Sequence, residues 1–145
     1  MKKKRIILGI LIVSIIGSAW FGLGEYNRKV KDLNHVKAQV TIQSEELIKA
    51  YETDETASND LYLDKIIAVK GNVKAIDKDE MGHYTIVLGR EGSMSSVRCS
   101  MDSTYITKMR DIAVGSRLTV KGACTGFNAD ELLGSDVILN RCVIN

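Results

Sequence analysis

The feature of this sequence that most restricts its fold is a change in apolar period after Tyr62. From Ile67 onward, apolar residues alternate with polar ones in five short sets, and turn residues separate the sets. A period of two is typical of β-strands that bury one face. The sequence therefore predicts a mainly β domain, α+β by content, with five strands. The five sets are Ile67, Val69 and Val73; Tyr84, Ile86 and Leu88; Val97, Cys99 and Met101; Leu118, Val120 and Cys124; and Val137 through Ile144.

The order of the predicted elements indicates how these strands are arranged. A helix over residues 41–61, with a break near Asp54, precedes three strands. Residues 102–111 predict a short helical connection, and residues 125–135 predict a loop before the fifth strand. A five-stranded Greek-key barrel of the OB type has this order. Gly71, inside the first strand, suits the bend that closes a small barrel. An open antiparallel α+β sheet is the alternative.

The apolar side of each strand should face the interior of such a barrel. Leu118→Ala should then cost about 2–5 kcal/mol of stability. Eight residues lie on the apolar phase of their strands, and we expect them to form the core: Val69, Val73, Ile86, Leu88, Val97, Leu118, Val120 and Leu139.

The N-terminus carries the pattern of a membrane-targeting segment. Four positive charges at residues 2–5 precede an uncharged run of 19 residues that begins at Ile6 and ends at Gly24. A helix of that length spans about 28 Å, close to the ~30 Å hydrocarbon core of a bilayer. We therefore predict a single-pass transmembrane helix in the cytoplasmic membrane, with a helical stalk over residues 25–40 and a domain over residues 41–145 outside the cytoplasm. A cleaved signal peptide is the alternative.

Several stretches of the sequence resemble a known family. They look like the tRNA-anti-like OB-fold family of bacterial envelope proteins, and residues 44–59 resemble the helix that leads into that fold. The resemblance covers about residues 41–145. It is most specific in residues 121–126 and at Cys142, and it implies an OB barrel in an anchored or exported setting. The stretches are residues 62–73, 97–99, 114–127 and 136–142.

The candidate ligand face of an OB barrel lies over its second and third strands. Nucleic-acid-binding barrels use basic residues and aromatic stacking platforms there. On the predicted outward side of these two strands Arg98 is the only cation, and Tyr105 and Phe127 lie in connections that could border it. We therefore expect nucleic acid not to be the partner. A cluster of cations on one side of the domain would reverse that expectation, and the candidates are Lys108, Arg110, Arg117 and Lys121.

These observations together predict a membrane-anchored, non-catalytic binding or interaction module of the cell envelope. Its partner would be a protein, a peptide or a saccharide, and a nucleic-acid-binding OB-fold domain is the alternative function. His35 and His83 stand apart from each other and lack the spacing of metal ligands. The sequence also lacks a recognisable local catalytic motif. We therefore predict no enzyme activity, no cofactor and no metal site.

The three cysteines can form at most one disulfide within the chain. In an OB barrel the fifth strand lies between the third and the fourth, so Cys142 has Cys99 on one side and Cys124 on the other. We favour a disulfide between Cys124 and Cys142 because it closes the shorter loop. A Cys99–Cys142 bond and three buried, reduced thiols remain open alternatives.

Overall fold

The computed structural model describes residues 33–130 and 132–144. Short 3₁₀ segments lie at Leu33–His35 and, between the fourth and fifth strands, at Ser103–Asp111. The strands and α-helices in these parts of the chain are β1 (Val40–Gln43), α1 (Ser44–Thr53), α2 (Glu55–Tyr62), β2 (Ile66–Lys78), β3 (Tyr84–Leu88), β4 (Ser96–Met101), β5 (Arg117–Asp130) and β6 (Gly134–Ile144).

Five of the strands close into a barrel. Their order is β2–β3–β4–β6–β5, and β5 pairs back onto β2, so the sheet closes on itself. β6 lies between β4 and β5 and runs parallel to β4, as an OB barrel requires. The predicted OB-type barrel is therefore confirmed, and the open antiparallel sheet is wrong. The remaining strand, β1, adds to the barrel by pairing in parallel with β2.

β2 is long enough to take part in two different pairings. Its residues 66–72 pair with β5, whereas residues 73–78 pair with β3, with a β-bulge near the start of the second half. Gly71 lies at this change of partner. Helix α1 approaches so closely there that a Cβ atom at Gly71 would lie 2.5 Å from the hydroxyl oxygen of Ser44. A glycine is therefore needed where the start of α1 meets the barrel.

The core is mostly the one that the alternation predicts. Seven of the eight predicted residues are at most 1 % exposed. The eighth, Leu118, packs against this core but is only half-buried. Leu118 pairs with Gly71, which has no side chain to cover it. Helix α1 adds Leu47 and Tyr51 to the same core.

Several boundaries of the predicted elements differ in the structure. Residues 41–43 belong to β1, and the leading helix begins at Ser44. The break near Asp54 is confirmed, because the Asp54 carboxylate accepts the backbone N–H of Ala57 at 2.9 Å and caps α2. The loop predicted over residues 125–135 is mostly a hairpin, since β5 continues to Asp130 and β6 already begins at Gly134. The exposed polar residues of that hairpin conceal its strand character.

The described part of the predicted helical stalk, residues 33–40, is not an α-helix. It consists of the 3₁₀ segment, a bend and the first residue of β1. Leu33 is 3 % exposed and belongs to the hydrophobic core. This segment therefore packs against the barrel, because the side chain of Leu33 is buried in the hydrophobic core.

The predicted transmembrane segment, residues 6–24, lies outside the described residues. Within residues 33–130 and 132–144, no helix has both the length and the apolar character needed to cross a bilayer.

Candidate functional site

Basic side chains gather on the outer face of β2 and β5 and on the segment that leads into β1. Lys70 of β2 pairs with Gln43 on one side and Thr119 on the other, and Arg117 lies opposite the next outward position of β2. Paired residues of adjacent strands point to the same side of a sheet. The backbone register therefore brings together charges that lie far apart in the sequence. We call Lys37, Lys70, Arg117 and Lys121 the basic face.

Two shallow grooves run over the basic face. One, of ≈ 510 Å³, is lined by Lys70 and Arg117, and the Arg117 guanidinium donates to the side-chain oxygen of Gln43 at 3.0 Å. The other, of ≈ 370 Å³, is lined by Lys37 and Lys121. None of the described side chains that line the two grooves is a carboxylate. Lys37, Lys70 and Arg117 are exposed, whereas Lys121 is mostly buried. The exposed cations Lys37, Lys70 and Arg117 therefore line grooves whose described lining contains no carboxylate.

The face predicted from the sequence, over β3 and β4, has a different character. Arg98 donates to the carboxylate of Asp77 at 3.1 Å, and both side chains are about half exposed. Nearby, the hydroxyl of Ser96 donates to the carboxylate of Asp136. The one cation on this face is therefore already paired, although an exposed pair of this kind contributes little stability and can exchange partners.

The structure does not bring the three predicted ligand residues together. Tyr105 is 5 % exposed and packs in the core from the 3₁₀ segment, so it cannot serve as a stacking platform. Phe127 lies on β5 and stacks on Tyr51, with 5.0 Å between the ring centroids and 21° between the ring planes. Arg98 lies on β4, on the face described above.

The basic face was only partly visible in the sequence. Arg117 and Lys121 each stand two positions from Thr119 on one strand, so the alternation alone predicts that they lie on the same side of β5. Lys70 lies on the outward phase of the first predicted strand and could have been found in the same way. Lys37 could not, because its place depends on the short strand β1. The side chains of Lys108 and Arg110 lie outside what the structure describes.

The three cysteines are free and buried in the structure. The Tyr51 hydroxyl and the Cys124 sulfur are 3.4 Å apart, and burial raises the pKa of both groups. Cys142 interacts instead with Cys99, and burial together with that contact raises its pKa well above the usual range. The Cys124–Cys142 disulfide therefore stays a prediction.

Metal binding has no evident site in the described part of the chain. No group of three or more His, Cys, Asp or Glu side chains within it is placed to hold a metal ion. His83 contacts Asp79 instead, with 3.0 Å between Nδ1 and Oδ2, and the hydrogen bonds from His83 lower the pKa of that carboxyl.

Comparison with known proteins adds family and fold information to this geometry. The family model tRNA_anti-like matches residues 1–143. The fold is similar to that of a "putative nucleic acid-binding lipoprotein" from Klebsiella pneumoniae, with a TM-score of 0.56, 14% identity, 72% of this chain covered and 90% of that chain. No curated protein sequence matches significantly.

Two further solved structures are less similar, with TM-scores below 0.5. The S. pombe Stn1-ten1 complex has a TM-score of 0.36 and 18% identity, over 55% of this chain and 57% of that chain. An aspartyl tRNA synthetase from Entamoeba histolytica has a TM-score of 0.42 and 12% identity, over 81% of this chain and 23% of that chain.

These findings correct one expectation from the sequence. We expected nucleic acid not to be a partner, because the predicted ligand face held a single arginine. The matching family is named for tRNA, and the Klebsiella protein for nucleic-acid binding. The expectation is therefore wrong. It considered only the face of β3 and β4, whereas the cations gather on the face of β2 and β5 and on the segment that leads into β1.

Proposed function

This chain belongs to the tRNA_anti-like family, and from that premise we propose that it is a non-catalytic OB-fold domain that binds single-stranded nucleic acid on its basic face. The observation that carries the proposal is the convergence of Lys37, Lys70, Arg117 and Lys121 around two grooves whose described lining contains no carboxylate. Basic grooves that follow the phosphate backbone are the common feature of proteins that bind single strands.

The composition of the grooves favours contacts with phosphates over contacts with bases. The described residues that line them include no Phe, Tyr or Trp side chain, and the imidazole of His35 in the second groove is the one ring among them, so base stacking contributes little there. Binding should therefore be tolerant of base sequence and should depend strongly on salt. Each phosphate neutralised on a single strand contributes about −0.7 to the slope of log K against log salt concentration. Three exposed cations correspond to a slope of about −2.

A direct test measures that slope with the 145-residue chain in a mild non-ionic detergent. A fluorescein-labelled single strand of mixed sequence, about 20 nucleotides long, is titrated and followed by anisotropy at several salt concentrations. The double variant Lys70→Gln/Arg117→Gln should bind more weakly at low salt, and its slope should be less steep by about 1.4. Arg98→Gln is the control, because it removes a cation from the face of β3 and β4, where it is paired with Asp77.

Two results would contradict the proposal. Unchanged binding by the Lys70→Gln/Arg117→Gln variant would assign the affinity elsewhere, for example to the basic residues 2–5, which that variant keeps. A loss of single-strand binding in Arg98→Gln alone would show that the interface lies on β3 and β4. Circular dichroism of each variant establishes that the barrel is intact.

We further propose that the domain is held at the cytoplasmic membrane and lies outside the cytoplasm. The uncharged run of residues 6–24 supports this placement, as does the description of the Klebsiella protein as a lipoprotein. A reporter that is active only outside the cytoplasm, fused after Asn145, should be active and should sediment with membranes. Active but soluble reporter would mean that the N-terminal segment is cleaved, and inactive reporter would mean the opposite orientation.

A further inference from the structure

An exposed apolar patch lies at the end of the barrel where the β5–β6 hairpin turns. Leu132 is 82 % exposed, Leu133 is 75 % exposed, and Met94, from the loop between β3 and β4, is 61 % exposed. Beside them is a cleft of ≈ 550 Å³ whose lining includes the stacked rings of Tyr51 and Phe127. We call Met94, Phe127, Leu132 and Leu133 the barrel-end patch. Large apolar side chains that are exposed together mark interaction surfaces more often than isolated ones do.

The hairpin and the neighbouring loop hold the patch in a fixed shape. The carboxylate of Asp130 accepts the backbone N–H groups of both Leu132 and Leu133 at 2.8 Å, which fixes the turn that carries them. Gly134, with a φ of +88°, packs so tightly on Met94 that a Cβ atom would lie 2.5 Å from the Met94 carbonyl carbon. A partner therefore meets a preorganised surface and loses little binding free energy to ordering it.

One serine ties the three elements around the cleft together. The hydroxyl of Ser95 donates to the Glu52 carboxylate of α1 at 2.7 Å and accepts the backbone N–H of Ser135 of β6 at 3.1 Å. The helix, the loop before β4 and the hairpin are thus joined at a single side chain. The cleft is consequently part of the folded barrel and does not depend on a mobile loop closing over it.

The rim of the patch is acidic. Glu52, Glu55 and Asp130 all line the cleft, and none of its described lining residues is a lysine or an arginine. The backbone hydrogen bonds to Asp130 lower the pKa of its carboxyl, so it stays ionised at neutral pH. This charge opposes a nucleic-acid strand and an anionic lipid surface, and it complements a basic partner. The barrel-end patch therefore differs in both sign and polarity from the basic face.

We propose that the barrel-end patch docks a segment of a partner protein that carries lysine or arginine beside apolar side chains. The apolar side chains of the segment cover Leu132, Leu133 and Met94, and its cations face Glu52 and Glu55. The two faces then give the domain two independent contacts, one for a polyanion and one for a cationic, apolar peptide. This second contact does not require the nucleic-acid function to be correct.

The test uses two short labelled peptides and the 145-residue chain in zwitterionic nanodiscs, with empty nanodiscs as the blank. The probes are acetyl-Lys-Leu-Lys-Leu-Lys-amide and its glutamate counterpart, acetyl-Glu-Leu-Glu-Leu-Glu-amide. The lysine peptide should bind at least tenfold more tightly. Leu132→Ser/Leu133→Ser should weaken it at least tenfold, and Glu52→Gln/Glu55→Gln should weaken it about fivefold. Met81→Ser is the matched control, since Met81 is 78 % exposed in a different turn, and it should leave binding unchanged.

Several outcomes would overturn the inference. Equal binding of both peptides would remove the role of the acidic rim, and unchanged binding by Leu132→Ser/Leu133→Ser would place the contact elsewhere. Binding of vesicles of anionic phospholipid that is lost in the same leucine variant would identify a membrane as the occupant. The leucine variant should keep the salt-dependent binding of the labelled single strand, so failure of the patch and failure of the basic face are measured separately.

Discussion

The close approach of α1 to Gly71 leads to a quantitative prediction about stability. In Gly71→Ala the new Cβ would lie 2.5 Å from the Ser44 hydroxyl oxygen, 2.9 Å from the Ser44 Cβ and 3.2 Å from the Leu88 Cβ. The two Cβ atoms can move only with their backbones, whereas the hydroxyl oxygen can move by rotation of the Ser44 side chain. Overpacking of this kind costs about 1–3 kcal/mol.

The predicted net effect is smaller because alanine also restricts the unfolded chain. A glycine-to-alanine change at a compatible site stabilises a protein by about 0.4–1 kcal/mol. We therefore expect Gly71→Ala to lower the free energy of unfolding by about 1–2 kcal/mol. Urea unfolding of the 145-residue chain in detergent, followed by circular dichroism, measures it. Gly126→Ala is the matched control, because Gly126 is also in a strand and a Cβ there would meet nothing within 4 Å.

A second substitution locates the cause of the loss. Ser44→Gly in the Gly71→Ala background removes both clashing atoms and should recover part of the lost stability. The Ser44 oxygen has no hydrogen-bond partner in the structure, so removing it breaks no bond. If Gly71→Ala were as stable as Gly126→Ala, or if Ser44→Gly recovered nothing, helix α1 would not rest on β2 at Gly71.

Three further predictions use the core and its buried groups. Leu139→Ala should lower the free energy of unfolding by about 2–5 kcal/mol, and Leu118→Ala should lower it by less than half as much, because only Leu139 is fully buried. Equal losses of the two variants in urea unfolding would contradict this prediction. Burial keeps Tyr51 protonated in the folded state above its ordinary pKa of ~10, whereas the unfolded chain loses that proton. The free energy of unfolding should therefore fall as pH rises from 9 to 11, and it should fall less steeply in Tyr51→Phe. Identical slopes for the two proteins would contradict this prediction. If the predicted Cys124–Cys142 disulfide forms, thiol titration in denaturant should find a single reactive cysteine per chain; three reactive cysteines, almost all protected without denaturant, would refute the disulfide and match the free, buried thiols of the structure.

The sequence predicts the barrel because its two strongest signals are local. The alternation of apolar residues marks the strands, and the order of helix and strands restricts their connection. The alternation does not predict β1, because its four residues, Val40–Gln43, are too few to show a distinct period of two. Its parallel pairing with β2 depends on packing between distant parts of the chain. Leu118 shows the same limit, since its exposure depends on a glycine across the sheet.

The candidate site was harder to predict because it depends on register between strands. The alternation places Arg98 on the outer side of β4 correctly, but the carboxylate that pairs with it comes from β2, across β3. The basic face likewise combines β2, β5 and the segment that leads into β1. The barrel-end patch requires the contact between the hairpin and the loop before β4, which no local pattern in the sequence indicates.

The pairing of β2 with β5 also constrains the order in which the chain can fold. The pairs that close the barrel join residues as far apart as Ile66 and Ala123, so the entropy of closing a long loop is lost before those contacts form. One edge of β4 stays unpaired until β6 has been synthesised and pairs with it. A chain still emerging from a ribosome or a translocation channel therefore carries unpaired strand edges that can recruit other chains, until β6 is in place.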